Sequence, residues 1–432
     1  MSPTFTHKEN KPMIKITSAE ILSVGTELLL GDIVNTDAAY ISRKLAALGI
    51  NQYHQGVVGD NPERLEETLK ISLSRSDLVI LTGGLGPTYD DLTKETVAKL
   101  FGREMYMHQE SLERMMRRMT CRGAGVTENN KKQALMPEGA IIFKNDYGTA
   151  PGLAIEDEEK GKVVILLPGP PRECEPMFDE QVTPYLQKFS ERIFFSKTIN
   201  IFGMGESKVE TVLKELMLTS KNPTIAPYAK DGEVLLRVTA SGQSGDECAV
   251  LCDKAIEEIK KTEVGPYIYG VDAGSLEAAL VNELLTRGKT IATAESCTGG
   301  YVAKRITNVS GSSSVIDGSI VTYANRVKEK FVGVSHETLE AYGAVSPETA
   351  IEMARGVRKL FNADVGVSTT GIAGPTGGTP EKPVGRVYVA VSYGDYEEVR
   401  ELNIGAGLAT REYVRYVSAS NALDLARKAL LK

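Results

Sequence analysis

Apolar and polar positions along the chain follow two alternating rhythms. Short apolar runs (AEILSVG from Ala19, DLVILTGG from Asp77, KVVILLPG from Lys162) predict buried strands. Between the first two, TDAAYISRKLAALG from Thr36 and NPERLEETLKISLS from Asn61 carry helical spacing. Over residues 13–185 this alternation predicts an α/β domain with a mainly parallel sheet. Asp60 and Pro62 mark a helix start there. From 186 to 265 the order becomes strand (KTINIFG), helix, two strands (TIAPYA, EVLLRVTAS) and helix, a small α+β module whose paired strands meet at Lys230-Asp231-Gly232. From 275 to 432 strands and helices alternate again and end in a long helix, which predicts a second α/β domain. Ser346 and Pro347 form a cap and first helical residue within it.

Composition narrows the picture. A chain of 432 residues is too long for one hydrophobic core. Its net charge of −7 disfavours a general nucleic-acid surface. The N-terminal MSPTFTHKENKP is polar and lacks an apolar stretch, so no secretory leader is expected, and no run is long and apolar enough to predict a membrane span. Five cysteines, odd in number and without paired metal spacing, fit reduced thiols in a cytoplasm. Cys248 and Cys252, four apart on a helix, fit packing on one face better than a ligand pair. The chain has four histidines, His7, His54, His108 and His336, which argues against a histidine-rich zinc site. In the last third His336 stands alone, at the start of an exposed helix, so a base for nucleophilic chemistry there is expected to be another residue.

Three strings in the last third carry candidate chemistry. In Ala294-Glu295-Ser296-Cys297-Thr298-Gly299-Gly300 a strand gives way to a helix. A serine at that junction is exposed at the sheet edge beside helix N–H groups that favour developing negative charge. Gly299 and Gly300 let a substrate approach the backbone. This layout suits a nucleophile beside an oxyanion hole; a helix cap with a phosphate-binding turn is the alternative. In Tyr323-Ala324-Asn325-Arg326-Val327-Lys328, Lys328 falls one turn into a helix. A buried lysine with a depressed pKa can act as a base, and most helical lysines are instead solvated charges. The Gly/Pro-rich stretch from Thr370 through Gly371 and Gly374 to Gly385 suits a loop folded over a ligand, or a long hairpin loop.

The first domain carries four glycine strings: Gly25–Gly31, Thr82–Asp91, Gly148–Gly152 and Leu167–Glu173. Glycine loops after strands offer backbone donors to phosphates. Glu27, Asp90 and Asp91 are oxygen ligands suited to a hard divalent metal bridging those phosphates. In the middle module Gly242-Gln243-Ser244-Gly245 has the GxxG form of an RNA clamp, but it joins a strand to a helix and acidic residues follow it. A turn and helix cap fits better.

AESCTGG, TYANRVK, GAVS, TGIAGPTGGTPEKPVG and TREYVR together closely resemble the C-terminal domain of the CinA family, which is similar to bacterial nicotinamide-mononucleotide deamidases. The resemblance implies an α/β amidohydrolase domain that hydrolyses the carboxamide of nicotinamide mononucleotide without a cofactor. It implies Ser296 as nucleophile, Lys328 as base, Tyr323 as an orienting residue and Arg411 on the phosphate; a surface ion pair is the plain alternative for Arg411. Cys297 is a rival nucleophile of lower rank. TGGLGPTYDD and its companions resemble the molybdopterin-binding-like N-terminal domain of the same family over about Ser18 to Met177. That implies hydrolysis of the ADP-ribose pyrophosphate with magnesium, manganese or cobalt, and Glu27, Asp60, Asp90 and Asp91 are its candidate metal or catalytic carboxylates. Asp60 can also be read as a helix cap. Gly83, Gly84, Gly86 and Thr88 are the implied phosphate contacts. The middle module is KH-like, and a homodimer is expected. The competing readings are a molybdopterin- or nucleotide-binding regulatory protein with an inactive domain, and a DNA-uptake partner, against which the acidic charge argues.

Overall fold

The computed structural model describes residues 14–121, 127–189, 193–230, 232–405 and 409–432. The polar N-terminus, Met13 at the expected start of the first domain and Asp231 in the expected hairpin turn lie outside the described residues. The chain forms two compact units. One reaches to Ser196 and takes in Thr239–Leu251; the other comprises Lys197–Val238 and Cys252–Lys432.

In the first unit lie β1 (Ser18–Val24), β2 (Asn51–Val58), β3 (Leu78–Thr82), β4 (Met105–Met107), β5 (Leu135–Pro137), β6 (Ile141–Phe143), β7 (Gly152–Asp157) and β8 (Lys162–Leu167). Six of them make one sheet in the order β2-β1-β3-β8-β7-β6. The first four are parallel and the last two antiparallel. The central strand β3 is buried on both faces. Leu78 and Ile80 pack with Ile41 and Leu45 of the helix Thr36–Ala47; Val79 and Leu81 pack with Leu65 and Leu69 of the helix Pro62–Arg75. A strand covered on both sides reads as a continuous apolar run, which is why β3 was legible. One helix start needs correcting. Asn61, not Asp60, accepts the capping bond from Arg64 N at 2.9 Å, with Pro62 as the first helical residue.

The middle sheet has the order β10-β11-β9-β12, from β9 (Ile193–Phe202), β10 (Thr224–Lys230), β11 (Glu233–Gly242) and β12 (Ile268–Val271). Its last strand comes from residues that the sequence pattern left between modules, and it pairs antiparallel with β9. In the Gly242–Gly245 loop, Gln243 N donates to the Glu247 carboxylate at 2.9 Å and Glu247 N to Ser244 Oγ at 3.1 Å. The loop is thus closed on its own helix by a capping pair. Cys248 and Cys252 are both buried; Cys174 and Cys297 are buried thiols as well.

The last domain is built on β13 (Ile291–Glu295), β14 (Ile316–Val321), β15 (Val365–Gly371), β16 (Arg386–Tyr393) and β17 (Tyr396–Asn403), in the order β14-β13-β15-β16-β17. β13 is parallel to both its neighbours. The chain passes from β13 outward to β14, then crosses back to β15 on the other side. Such a reversal leaves a crevice at the carboxyl ends of the strands, where α/β proteins place ligands. Helices cover both faces. Ile291 belongs with Leu280, Val302 and Leu423 on one side, and Ala292 and Ala294 with Met353 and Val357 on the other. Ser346 caps the helix Pro347–Phe361 as expected, accepting from Thr349 N at 3.1 Å.

That helix approaches the end of the helix Asn325–Val332 through Gly356, where a Cβ would lie 1.7 Å from the Val332 carbonyl oxygen. Gly356→Ala is therefore expected to lower the stability of this domain by about 1–3 kcal/mol, read as a fall in its thermal midpoint. An unchanged midpoint would show that the two helices can move apart at no cost.

Candidate active site

Ser296 follows the last residue of β13 at the crevice of the C-terminal domain and is nine-tenths buried. The turn that carries it is fixed from both sides. Ser296 N donates to Thr369 O on β15 at 2.9 Å, and the Thr298 and Thr369 hydroxyls bond at 2.6 Å. Arg415 Nη2 donates to Thr298 O at 2.7 Å. Gly299 and Gly300 both have positive φ, 60° and 91°, which brings the chain round into the helix Tyr301–Thr307.

One expectation about this turn is corrected. The helix N–H groups do not stand open to a ligand. Glu295, fully buried, accepts from Val302 N at 3.0 Å and Ala303 N at 2.8 Å. In the turn itself, Ser296, Gly299 and Tyr301 also spend their N–H groups on backbone carbonyls. Among the described residues the N–H groups of Cys297, Thr298 and Gly300 make no turn bond to a backbone carbonyl, and those of Cys297 and Thr298 face the Cys297 sulfur.

Lys328 reaches the same point from the end of β14. It lies in the first turn of its helix and is 1% exposed. Its Nζ donates to Thr322 O at 2.7 Å and lies 3.3 Å from Ser296 Oγ. Removal from water drives the amine down from its ordinary value to about 8. The serine and the lysine, 32 positions apart, thus form a hydrogen-bonded pair, and the lysine is not a solvated charge. Cys297 is the weaker nucleophile on physical grounds, since burial pushes its thiol up to about 12.

Other candidates frame the pair. Tyr323 is exposed, and its hydroxyl accepts from Arg411 Nη2 at 3.0 Å, while Arg411 Nη1 donates to Gly374 O at 2.8 Å. Arg411 therefore ties Tyr323 to the Gly/Pro-rich loop. Tyr323 meets the lysine only through its backbone carbonyl, 3.5 Å from Nζ. Thr370 is buried and its hydroxyl donates to Ala344 O, which leaves its neighbour Gly371 at the rim. Glu295, Thr322 and Arg415 lie inside AESCTGG, TYANRVK and TREYVR but were not singled out there, and Thr369 lies outside the quoted strings. Thr322 and Thr369 act through their backbone carbonyls, which have no letter code.

In the N-terminal domain a cleft of about 560 Å³ opens where β1 and β3 end. It is lined by Glu27, Asp60, Gly83, Gly84, Gly86, Thr88, Asp90 and Asp91, so one cavity gathers every candidate of this domain. Gly83 has φ 95° and lies so close to the end of β1 that a Cβ would meet Val24 O at 2.2 Å. Asp60 accepts from both Thr26 N and Thr26 Oγ1 at 2.8 Å, which fixes the loop after β1. Asp91 accepts from Thr88 N at 2.8 Å, and the Thr88 hydroxyl bonds both Asp90 and Asp91. That hydroxyl holds the Asp90 carboxyl below its usual range. A buried lysine outside the predicted set, Lys94, anchors the following helix by donating to Gln133 O at 2.8 Å. Among the described residues no three His, Cys, Asp or Glu side chains converge as a ready-made metal cage. The donor set nonetheless fits a magnesium-type ion, which takes one or two carboxylates from a protein and the rest from phosphate and water. Asp90 and Asp91 are the pair that could hold it.

Fold and sites together define a protein of two α/β domains and a small α+β module, with a Ser–Lys pair in the C-terminal domain and a glycine-lined acidic cleft in the N-terminal one. The family model described as "CinA C-terminal domain" matches residues 273–430, "Damage-inducible protein CinA KH domain" residues 196–270 and "Probable molybdopterin binding domain" residues 20–188. A CinA-like protein of Kosmotoga olearia is 52% identical and covers 96% of this chain and 99% of its own. One from Dictyoglomus turgidum is 50% identical, covering 95% and 99%. The crystal structure of competence/damage inducible protein CihA from Agrobacterium tumefaciens is 39% identical over 36% of this chain and 94% of that one, with a TM-score of 0.35. The chain belongs to the CinA family.

The depressed lysine carries a stability signature. Between about 8 and the ordinary value near 10.5 the unfolded chain binds more protons at this residue than the folded one, so its contribution to stability rises with pH across that window. Below pH 8 the full cost is present. Lys328→Met is expected to raise the thermal midpoint of the C-terminal domain at pH 7, by the equivalent of at most about 3 kcal/mol, with the gain shrinking toward pH 10. Equal gains at pH 7 and pH 10 would show that the amine is not depressed.

Proposed function

We propose that the C-terminal domain deamidates nicotinamide mononucleotide to nicotinate mononucleotide and ammonia. The observation that carries this reading is the Ser296–Lys328 pair, a buried amine of lowered pKa 3.3 Å from a serine oxygen at a strand end. Neutral Lys328 takes the proton as Ser296 Oγ attacks the carboxamide carbon. The oxyanion is held by N–H groups of the Ser296 turn that no backbone carbonyl takes. Collapse breaks the C–N bond, and Lys328 returns the proton to the departing ammonia. Water then adds to the ester with Lys328 again as base, and the acid leaves as Ser296 regains its proton. Arg411, tied to Tyr323 and the Gly/Pro-rich loop, is the residue for the phosphate.

The N-terminal domain is proposed to hydrolyse the pyrophosphate of ADP-ribose. Gly83, Gly84 and Gly86 take the phosphates, and Asp90 and Asp91 hold the divalent ion, which supplies charge neutralisation when bound. A second reading, a molybdopterin- or nucleotide-binding module without chemistry, draws on the matched molybdopterin-binding model and on the carboxylates being spent on Thr26 and Thr88.

Ammonia release from nicotinamide mononucleotide is expected to rise with pH through about 8 and then level, following the loss of the Lys328 proton. Ser296→Ala should abolish it and Lys328→Ala should reduce it by roughly 100-fold or more, while Cys297→Ala should retain it. Full activity in either of the first two variants removes the mechanism. For the other domain, ADP-ribose hydrolysis in the presence of magnesium should fall about 10–100-fold in Asp91→Asn. Binding of ADP-ribose by the wild type without product formation under any divalent metal would favour the binding-module reading.

A further inference from the structure

Within the N-terminal cleft one side chain stands apart from its neighbours. Asp60, Asp90, Asp91 and Glu173 line the cavity, and each accepts a hydrogen bond from the protein, while Glu27 is exposed to solvent. Asp37 lines it too, is 6% exposed, and its Oδ1 is buried with no hydrogen-bond partner. Folded proteins satisfy nearly all buried polar atoms, because an unpaired one costs the whole of its desolvation. Here the cost shows in the titration. Burial and the nearby Glu175 push the Asp37 carboxyl up to about 7. An acceptor held in this state on the wall of a binding cavity is matched by a donor that arrives with a ligand.

The chemistry of that donor is constrained. Phosphate oxygens carry negative charge and would be repelled, so phosphates belong on the glycine loop that follows β3. Ile33 and Val34 line the cavity close to Asp37 in sequence and are both exposed, at 53% and 83%, which offers an apolar flank. We propose that Asp37 reads the uncharged end of a phosphate-bearing ligand, accepting on Oδ1 an N–H or O–H donor from its base or sugar while Ile33 and Val34 flank that group. The inference rests on the nucleotide-type reading of the cleft given above.

Calorimetric titration of the full chain without divalent metal, so that nothing turns over, tests it with three probes: ADP-ribose, ribose 5-phosphate and inorganic pyrophosphate. In Asp37→Ala, ADP-ribose is expected to bind about tenfold more weakly or worse, with pyrophosphate affected less than about twofold. A parallel loss for ribose 5-phosphate assigns the donor to the sugar; a loss confined to ADP-ribose assigns it to the base. At pH 8, above the point where the carboxyl ionises, Asp37→Asn should melt at or above the wild-type temperature, since a buried unpaired charge has been removed. Wild-type ADP-ribose binding that Asp37→Ala leaves intact overturns this proposal alone. A wild type that binds ADP-ribose no better than pyrophosphate overturns the nucleotide reading with it. A fall of the Asp37→Asn melting temperature by several degrees would make the carboxylate a structural acceptor and overturn the proposal as well.

Discussion

An amine withdrawn from water imposes a cost that its surroundings must meet, and much of the C-terminal crevice is organised around the one on Lys328. The lysine is buried to 1% exposure, and among the described residues it has a single close acceptor, the Thr322 carbonyl, and no carboxylate beside it. A paired carboxylate would have held the proton on and raised the pKa; a lone carbonyl does not. β14 ends one residue before that carbonyl, at Val321, and the helix Asn325–Val332 begins three residues after it. Parallel pairing of β14 with β13 sets Glu295 opposite Val321 and so puts the end of β13 alongside. The serine meets the lysine because two parallel strands finish at the same edge of one sheet.

The N-terminal domain uses the same reversal for a different purpose. There β1 and β3 end beside each other, and the loops beyond them carry glycines and acidic side chains. Its buried lysine, Lys94, donates to the Lys132 and Gln133 carbonyls at the rim of the cleft and holds a helix in place. Burial lowers this amine also, to about 8. A depressed lysine by itself thus does not distinguish a base from a fastener. The two differ in what they face, a serine oxygen beside Lys328 and the carbonyls of Lys132 and Gln133 beside Lys94.

What the sequence revealed follows from how each feature is encoded. β3, buried on both faces, is an almost continuous apolar run and was legible, and β13, equally buried, was legible although Thr293 and Glu295 interrupt its apolar residues. The edge strand β2 is largely exposed, and β12 is four residues long, so neither leaves a clear period. The place of Ser296 at a strand-to-helix junction was legible with a helix cap as its alternative, and Lys328 was singled out by the scarcity of histidine and the family resemblance. The placement of Asp60 beside Thr26, and of Arg411 across to Tyr323 and Gly374, depends on which loops the sheet order brings together. No local spacing encodes that. The open helix N-terminus expected behind Ser296 failed for the same reason. A glutamate directly before the serine looks like part of the site, and only the turn of the chain shows that it points back into the helix.

That glutamate has a consequence for how the turn can change. With Glu295 bridging the strand to the first N–H groups of the helix, and Thr369 and Arg415 gripping the backbone between them, the path from 296 to 300 is anchored at both ends by groups other than the serine side chain. The scaffold and the reagent are separate parts. A different side chain at position 296 inherits the same location, the same access and the same flanking N–H groups, and the fold is not asked to rebuild itself around it. The side chain at this point sits like a fitting in a fixed socket, open to exchange while the framework stays as it is.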